Sequence, residues 1–235
     1  MAKLKRILPL IGRTLAAVLL GYAVLFSLVL TAALVIAGIH IGRPIYQVKI
    51  LVSDNPAETA FMRRCRKELR KEGLPDSLEH TVVPLDSISP FLRQAVLAAE
   101  DDGFYSHPGF DINAILAAME HNRSGAKTKH GGSTITQQLA KNLFLTKART
   151  FERKYKELAY AVLLETVLGK DRILELYLNY AQWGKTIFGC EAAAQHYYGK
   201  SCSRLTHNQA VRMAAVLALP TKLTPRRTNS KLLPK

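Results

Sequence analysis

From Thr14 to Gly42 the chain runs for 29 residues without an Asp, Glu, Lys or Arg. About 20 apolar residues in a helix cross the hydrocarbon core, where every backbone N–H and C=O must be satisfied without water. The run therefore predicts one transmembrane helix over 14–42. The apolar region of a cleaved leader is only about 7–15 residues long, which this run exceeds. Lys3, Lys5, Arg6 and Arg13 precede the span, so 1–13 reads as a basic cytoplasmic tail, and everything after Gly42 emerges on the far side of a single-pass protein.

Beyond the span roughly 190 residues remain, enough for one domain with a substantial core but not for a second catalytic one. The chain holds 33 Lys and Arg against 18 Asp and Glu, a net charge of +15, which calls for an anionic partner. No nucleic-acid-binding module is recognisable and a membrane span comes first, so phosphates at a lipid surface are favoured over nucleic acid. Cys65, Cys190 and Cys202 make an odd count without a C-x-x-C pair, which indicates neither a zinc site nor a disulfide framework. A Cys190–Cys202 bridge stays open in an oxidising compartment.

Residues 43–82 form a membrane-proximal basic segment. Within it Ile45–Val52 reads as extended, and Pro56–Glu72 as a helix crowded with Arg63, Arg64, Arg66, Lys67, Arg70 and Lys71. Two readings of that helix stand: a solvated charged face, or a surface lying on anionic headgroups with Phe61, Met62 and Leu69 at the lipid boundary. Next, Ser89 can cap a helix that has Pro90 first and Leu92, Ala95, Val96 and Ala99 along one buried face. Gly103 stops it. Glu100 then sits in the last turn, where the negative helix end and the adjacent Asp101 and Asp102 should raise its pKa, as suits a general base. On the acids alone, a solvated helix cap explains the cluster as well.

A further helix is expected over 111–122, with Ile112, Ile115, Leu116 and Met119 on one side, followed by a polar loop over 123–130. Its Ser124-Gly125-Ala126-Lys127 has the Ser-x-x-Lys form of penicillin-binding enzymes, but no Lys-Thr-Gly or Ser-x-Asn follows, and no penicillin-sensitive activity is expected. Gly131-Gly132-Ser133-Thr134 then opens a helix whose Thr134 and Gln137 form a capping box. Ile135, Leu139 and Leu143 make its apolar stripe, while Gln138, Lys141 and Asn142 share another face that carries no acid. The glycine-rich start offers backbone N–H groups to an anion. Arg149–Glu165 is a helix with Arg149, Arg153 and Lys156 in register, and Asp171 opens another in which Ile173, Leu174 and Leu178 are core and Glu175 an anchor.

Glu100-Asp101-x-x-Phe104-x-x-His107-x-Gly109-x-Asp111 resembles the first signature of the peptidoglycan glycosyltransferases, which polymerise lipid II into glycan strands. Gly131-x-Ser133-Thr134-x-Thr136-Gln137-Gln138-x-x-Lys141-Asn142 resembles the second, and Arg153-Lys154-x-x-Glu157 the third. The run from Ile173 to Asn179 and that from Arg212 to Pro220 resemble the remaining two. The resemblance covers about Val83 to Pro220. It implies a mainly α fold, a lysozyme-like helical glycosyltransferase domain over 83–235 behind one N-terminal transmembrane helix, and a membrane-dipping subdomain. The basic, Pro-containing Lys222–Lys235 stands where family members continue into an arginine-rich helix, so closure of the fold there is an open expectation.

The activity implied is an inverting transfer with release of undecaprenyl pyrophosphate. Glu100 and Glu157 are the implied catalytic carboxylates. Asp101, Phe104, His107, Ser133, Thr134, Gln137, Gln138, Lys141, Asn142, Arg149, Arg153 and Lys154 are the implied substrate-binding set. Glu157 either positions the cations or holds a divalent metal, Mg or Mn, and no other cofactor is expected. Partners follow as lipid II, the growing glycan chain, membrane lipids and cell-wall synthesis proteins, at the bacterial inner membrane with a periplasmic catalytic domain. Two rival classes remain, a lytic glycan-cleaving enzyme and a non-catalytic membrane scaffold. The cationic set argues against the first, because cleavage of a neutral sugar bond has little use for it.

Overall fold

The computed structural model describes residues 2–123, 132–146 and 150–226. It divides into two units, Met1–Gln47 and Val48–Lys235. The first is formed by a single helix, α1 (Ala2–Lys49), which extends past the uncharged run at both ends and continues through Pro44. Ile45–Val52 is accordingly not extended: the helix runs through Lys49 and tightens into a 3-10 turn at Ile50–Val52. Val48 and Leu51, the first residues of the second unit to be buried, belong to its core.

The second unit is mainly α. Its helices are α2 (Ala60–Lys71), α3 (Pro90–Glu100), α4 (Ile112–Arg123), α5 (Ile135–Phe144), α6 (Phe151–Leu168), α7 (Lys170–Tyr180), α8 (Cys190–Tyr198) and α9 (His207–Ala214). A two-residue parallel pair joins β1 (Glu79–His80) to β2 (Ile187–Phe188), with Glu79 opposite Ile187 and His80 opposite Phe188. α5 is central, packing against α2, α6 and α7, while α3 packs on α9. The stripe Ile135, Leu139 and Leu143 is buried as its spacing requires, against a core that includes Leu164, Ile173, Leu174 and Leu178.

α2 corrects one sequence reading. Thr59 caps it, its hydroxyl accepting from Met62 N at 3.1 Å, so Pro56 and its neighbours lie outside the helix. Met62 and Leu69 are buried in the domain core with Cys65, which leaves neither free for a lipid contact, while the half-buried Phe61 meets the Phe188 ring edge-on at 5.7 Å. The periodicity had marked an apolar face without saying what would cover it. Beside that face Arg66 pairs with Glu58 at 2.7 Å and Arg70 with Asp76 at 2.5 Å.

In α3 the buried face is Leu92, Ala95 and Val96, whereas Ala99 is exposed. Ser89 holds the N-cap position, but its hydroxyl turns to Leu205 O instead of capping the helix. The chain entering α3 is pinned by α7. Asn179 accepts from Val83 N at 2.9 Å and donates to Val83 O at 2.8 Å, and Glu175 accepts from Leu85 N at 2.9 Å, an anchor as its pattern suggested. On α4, Ile112 and Leu116 are exposed and Ile115 is half-buried. Gly169 both closes α6 and caps α7, which starts at Lys170, one residue before Asp171. All three cysteines are buried free thiols, Cys190 and Cys202 included. Ser124–Lys127 and most of Lys222–Lys235 lie outside the described residues.

Candidate active site

α3 delivers Glu100 as its last residue, and the turn that follows is locked to the start of α5. Asp101 is buried; Oδ1 accepts from His107 Nε2 at 2.8 Å and Oδ2 from Ile135 N at 2.8 Å. His107 Nδ1 in turn accepts from Gly109 N at 3.1 Å, which places the ring proton on Nε2. Thr134 Oγ1 donates to Gly109 O at 2.7 Å, and Thr134 and Gln137 form the expected capping box. Gly109 has φ +92°, and a Cβ there would lie 2.8 Å from Glu165 Cγ and 3.2 Å from Ala161 O on α6. Phe104 is fully buried with Lys170 Nζ 4.5 Å from its ring centre, and that amine donates to His107 O and Glu165 Oε1, both at 2.7 Å.

Of the expected substrate-binding set, Asp101, Phe104, His107, Thr134 and Gln137 are buried and make contacts with each other and with α5, which is how the site is built. Asn142 is also buried. At the start of α5 the Ile135 N–H is taken by the protein's own Asp101 carboxylate and the Gln137 N–H by the Thr134 hydroxyl.

Glu100 is half-buried, and Gln138 Nε2 donates to its Oε2 at 2.9 Å. Gln138 Oε1 accepts from the hydroxyl of Tyr177 at 3.2 Å. Burial pushes the Glu100 carboxyl above its usual range, the Gln138 amide and the Lys141 ammonium pull it back, and Asp101 adds a smaller push upward. The expected direction holds, but desolvation is its main cause rather than the neighbouring acids.

Glu157, buried on α6, sits between Arg153 and Lys154 at 2.5 Å each, and Lys154 reaches Ser133 Oγ at 3.1 Å. The side chain of Lys141 is exposed, and we read it as a cation at neutral pH. Crowding by protein nonetheless lowers its pKa, Glu157 opposes this, and Arg153, Lys154 and Arg64 reinforce it. Four cations thus share one field around one carboxylate, an arrangement that an incoming polyanion would relieve. Arg149 lies outside the described residues.

A metal ligand set is absent among the described residues, which contain no group of three His, Cys, Asp or Glu side chains able to hold an ion. Glu157 has both oxygens committed to cations, so the site does not fit a divalent metal held by the protein. Sequence reasoning missed Tyr177 and Arg64. Tyr177 lay inside the run Ile173–Asn179, where nothing distinguished it from the core residues around it, and Arg64 inside a basic run with nothing to single it out. Lys170 and Glu165, which brace the turn, carried no signal.

The transglycosylase family model matches residues 67–234, extending past both ends of the run from Val83 to Pro220. A biosynthetic peptidoglycan transglycosylase from Azoarcus is 50% identical over 169 residues, covering 72% of this chain and 73% of that protein. The protein of the same description from Ralstonia nicotianae is 50% identical over 167 residues, 71% of each chain. That from Nitrosospira multiformis is 46% identical over 166 residues, 71% of this chain and 72% of its own.

Proposed function

Since the chain belongs to the transglycosylase family and is a peptidoglycan glycosyltransferase of the helical, lysozyme-like type, we propose that it polymerises lipid II with inversion at the transferred sugar and release of undecaprenyl pyrophosphate. The observation that carries this is the division of the site into the half-buried Glu100 carboxyl on one side and a cationic cluster on the other.

Glu100 is the base. Its raised pKa brings it nearer to operating pH, and the hydrogen bond to Gln138 orients it. It takes the proton of the acceptor sugar's 4-hydroxyl as that oxygen attacks the anomeric carbon of the growing chain. The pyrophosphate leaves with rising negative charge, and Lys141, Arg153 and Lys154 meet it, with Arg149 as a further cation by its place in the sequence. Glu157 sets the spacing of Arg153 and Lys154. α1 anchors the enzyme where its lipid-linked substrate resides, with the catalytic unit on the periplasmic face of the inner membrane.

The test is polymerisation of labelled lipid II by the full chain. Glu100→Gln keeps size and the Gln138 contact but removes the base, so the rate should fall at least ~100-fold in a protein that stays folded and membrane-bound. Near-normal polymer from that variant overturns the assignment. Lys141→Met should instead weaken a phosphate-bearing donor mimic ~10-fold or more, as loss of a charge-assisted contact requires, while Glu100→Gln binds it nearly as the native chain does. The reverse pattern would exchange the two roles.

A further inference from the structure

Gln138 offers Glu100 a side chain with two ends of nearly equal shape and opposite polarity. Turned one way, its NH2 donates to the carboxylate; turned the other, its oxygen faces the carboxylate oxygens and repels them. The shape of the pocket does not choose between these; the carboxylate favours the NH2 end, and a hydrogen bond at the other end reinforces that choice. Tyr177 supplies one. It projects from α7, is 2% exposed, and donates to Gln138 Oε1 at 3.2 Å, while Gln138 Nε2 reaches Glu100 Oε2 at 2.9 Å.

We propose that Tyr177 is a positioning residue for Glu100, its hydroxyl fixing the Gln138 amide so that the NH2 end meets the carboxylate. A flipped amide would set two acceptors against each other at Glu100 and strip a buried hydroxyl proton of its acceptor. Burial, helped by the nearby charges of Glu100 and Asp101, keeps the phenol protonated and therefore a donor at any working pH. Among the described residues Oε2 is the Glu100 oxygen that takes a hydrogen bond, which leaves Oε1 to receive the acceptor's proton. The other groups facing Glu100 are Lys141 from α5 and Asp101 beside it, which act on its charge in opposite directions.

The proposal rests on Glu100 being the base and adds how that base is held. The experiment uses the full chain in detergent with labelled lipid II, comparing native protein with Tyr177→Phe across the acid side of the pH profile. Without the hydroxyl the amide samples both ends, the carboxylate loses part of a charge-assisted bond, and Glu100 keeps its proton to higher pH. The rate should fall about tenfold at the acid end and stay within about twofold on the alkaline plateau, as a loss of one bond to a charged group implies. A carbon-13 glutamate titration, with the Glu100 signal identified by its absence in Glu100→Gln, reads the carboxyl directly and should move upward in Tyr177→Phe. Gln138→Met, which removes both bonds, should move it the same way, and adding Tyr177→Phe to that variant should move it no further. An unmoved carboxyl in Tyr177→Phe, or a further shift in the double variant, overturns the proposal. A shifted carboxyl with an unshifted rate profile upholds Tyr177 as the positioner and removes Glu100 as the base.

Discussion

Glu157 meets two cations at 2.5 Å, whereas Glu100 meets one neutral amide and a more distant ammonium inside a part-buried setting, so the same side chain does opposite work at the two places. The sign of its linkage follows for Glu100. Its folded pKa lies above the unfolded value, so the folded state binds the proton more tightly, and stability falls as pH rises from the ordinary carboxylate range through the raised folded value. Above that value the ionised carboxylate destabilises the fold in full. Glu100→Gln removes this penalty at neutral pH and should raise the Tm above that of the native protein. Thermal unfolding at pH 7 checks it, and a lowered Tm would mean that the carboxylate is better satisfied than its surroundings indicate. Activity carries the same signature, because a base with a raised pKa is protonated early. The acid limb of the rate should lie above the ordinary carboxylate range.

α5 ties the site together through its first turn. Asp101 accepts the first N–H of α5 and the His107 ring N–H, so the end of α3 and the start of α5 share one carboxylate. Asp101→Asn places an NH2 against one of those donors and withdraws the negative charge from a helix N-terminus, which should cost ~2 kcal/mol, or about 4–8 °C in Tm. The neighbouring Asp102 is exposed, and Asp102→Asn should change stability by less than about 0.5 kcal/mol. Equal effects of the two would show that the shared carboxylate does not bind the elements together. The contrast also explains what the sequence made legible. The capping box and buried stripe of α5 are local, written in spacings of three and four, and both stand as read. Asp101 was not legible as the partner of Ile135, because 34 residues separate them and only packing joins them. For the same reason the apolar residues of α2 pointed to lipid until the core that covers them was in view, and Tyr177 looked like one more buried aromatic. Glu100 could be singled out by its place at a helix end, but the desolvation that dominates its pKa belongs to the assembled domain.

Two units make up the whole molecule, and the first leaves its apolar side chains uncovered. The 18-residue window that marks α1 has mean hydropathy 2.5 with none of it buried, and its large apolar side chains between Leu15 and Ile41 expose about half or more of their surface. Water is a poor solvent for such a helix, and lipid a good one. Its direction across a bilayer is set by the charges flanking it. Lys3, Lys5, Arg6 and Arg13 precede the uncharged run, while Arg43 and Lys49 are the basic residues in the short stretch after it. The more basic side stays in the cytoplasm, so the catalytic unit is expected on the opposite face, where a lipid-linked sugar donor would be polymerised. A reporter active only outside the cytoplasm, fused after Lys235, should therefore be active. Exchanging Lys3, Lys5, Arg6 and Arg13 for serine leaves the basic residues after the span in the majority, and should lower that activity several-fold while a cytoplasm-only reporter gains. If the native fusion is active only in the cytoplasm, the flanking charges do not orient the chain as argued, and a donor confined to the outer face would be out of reach of Glu100.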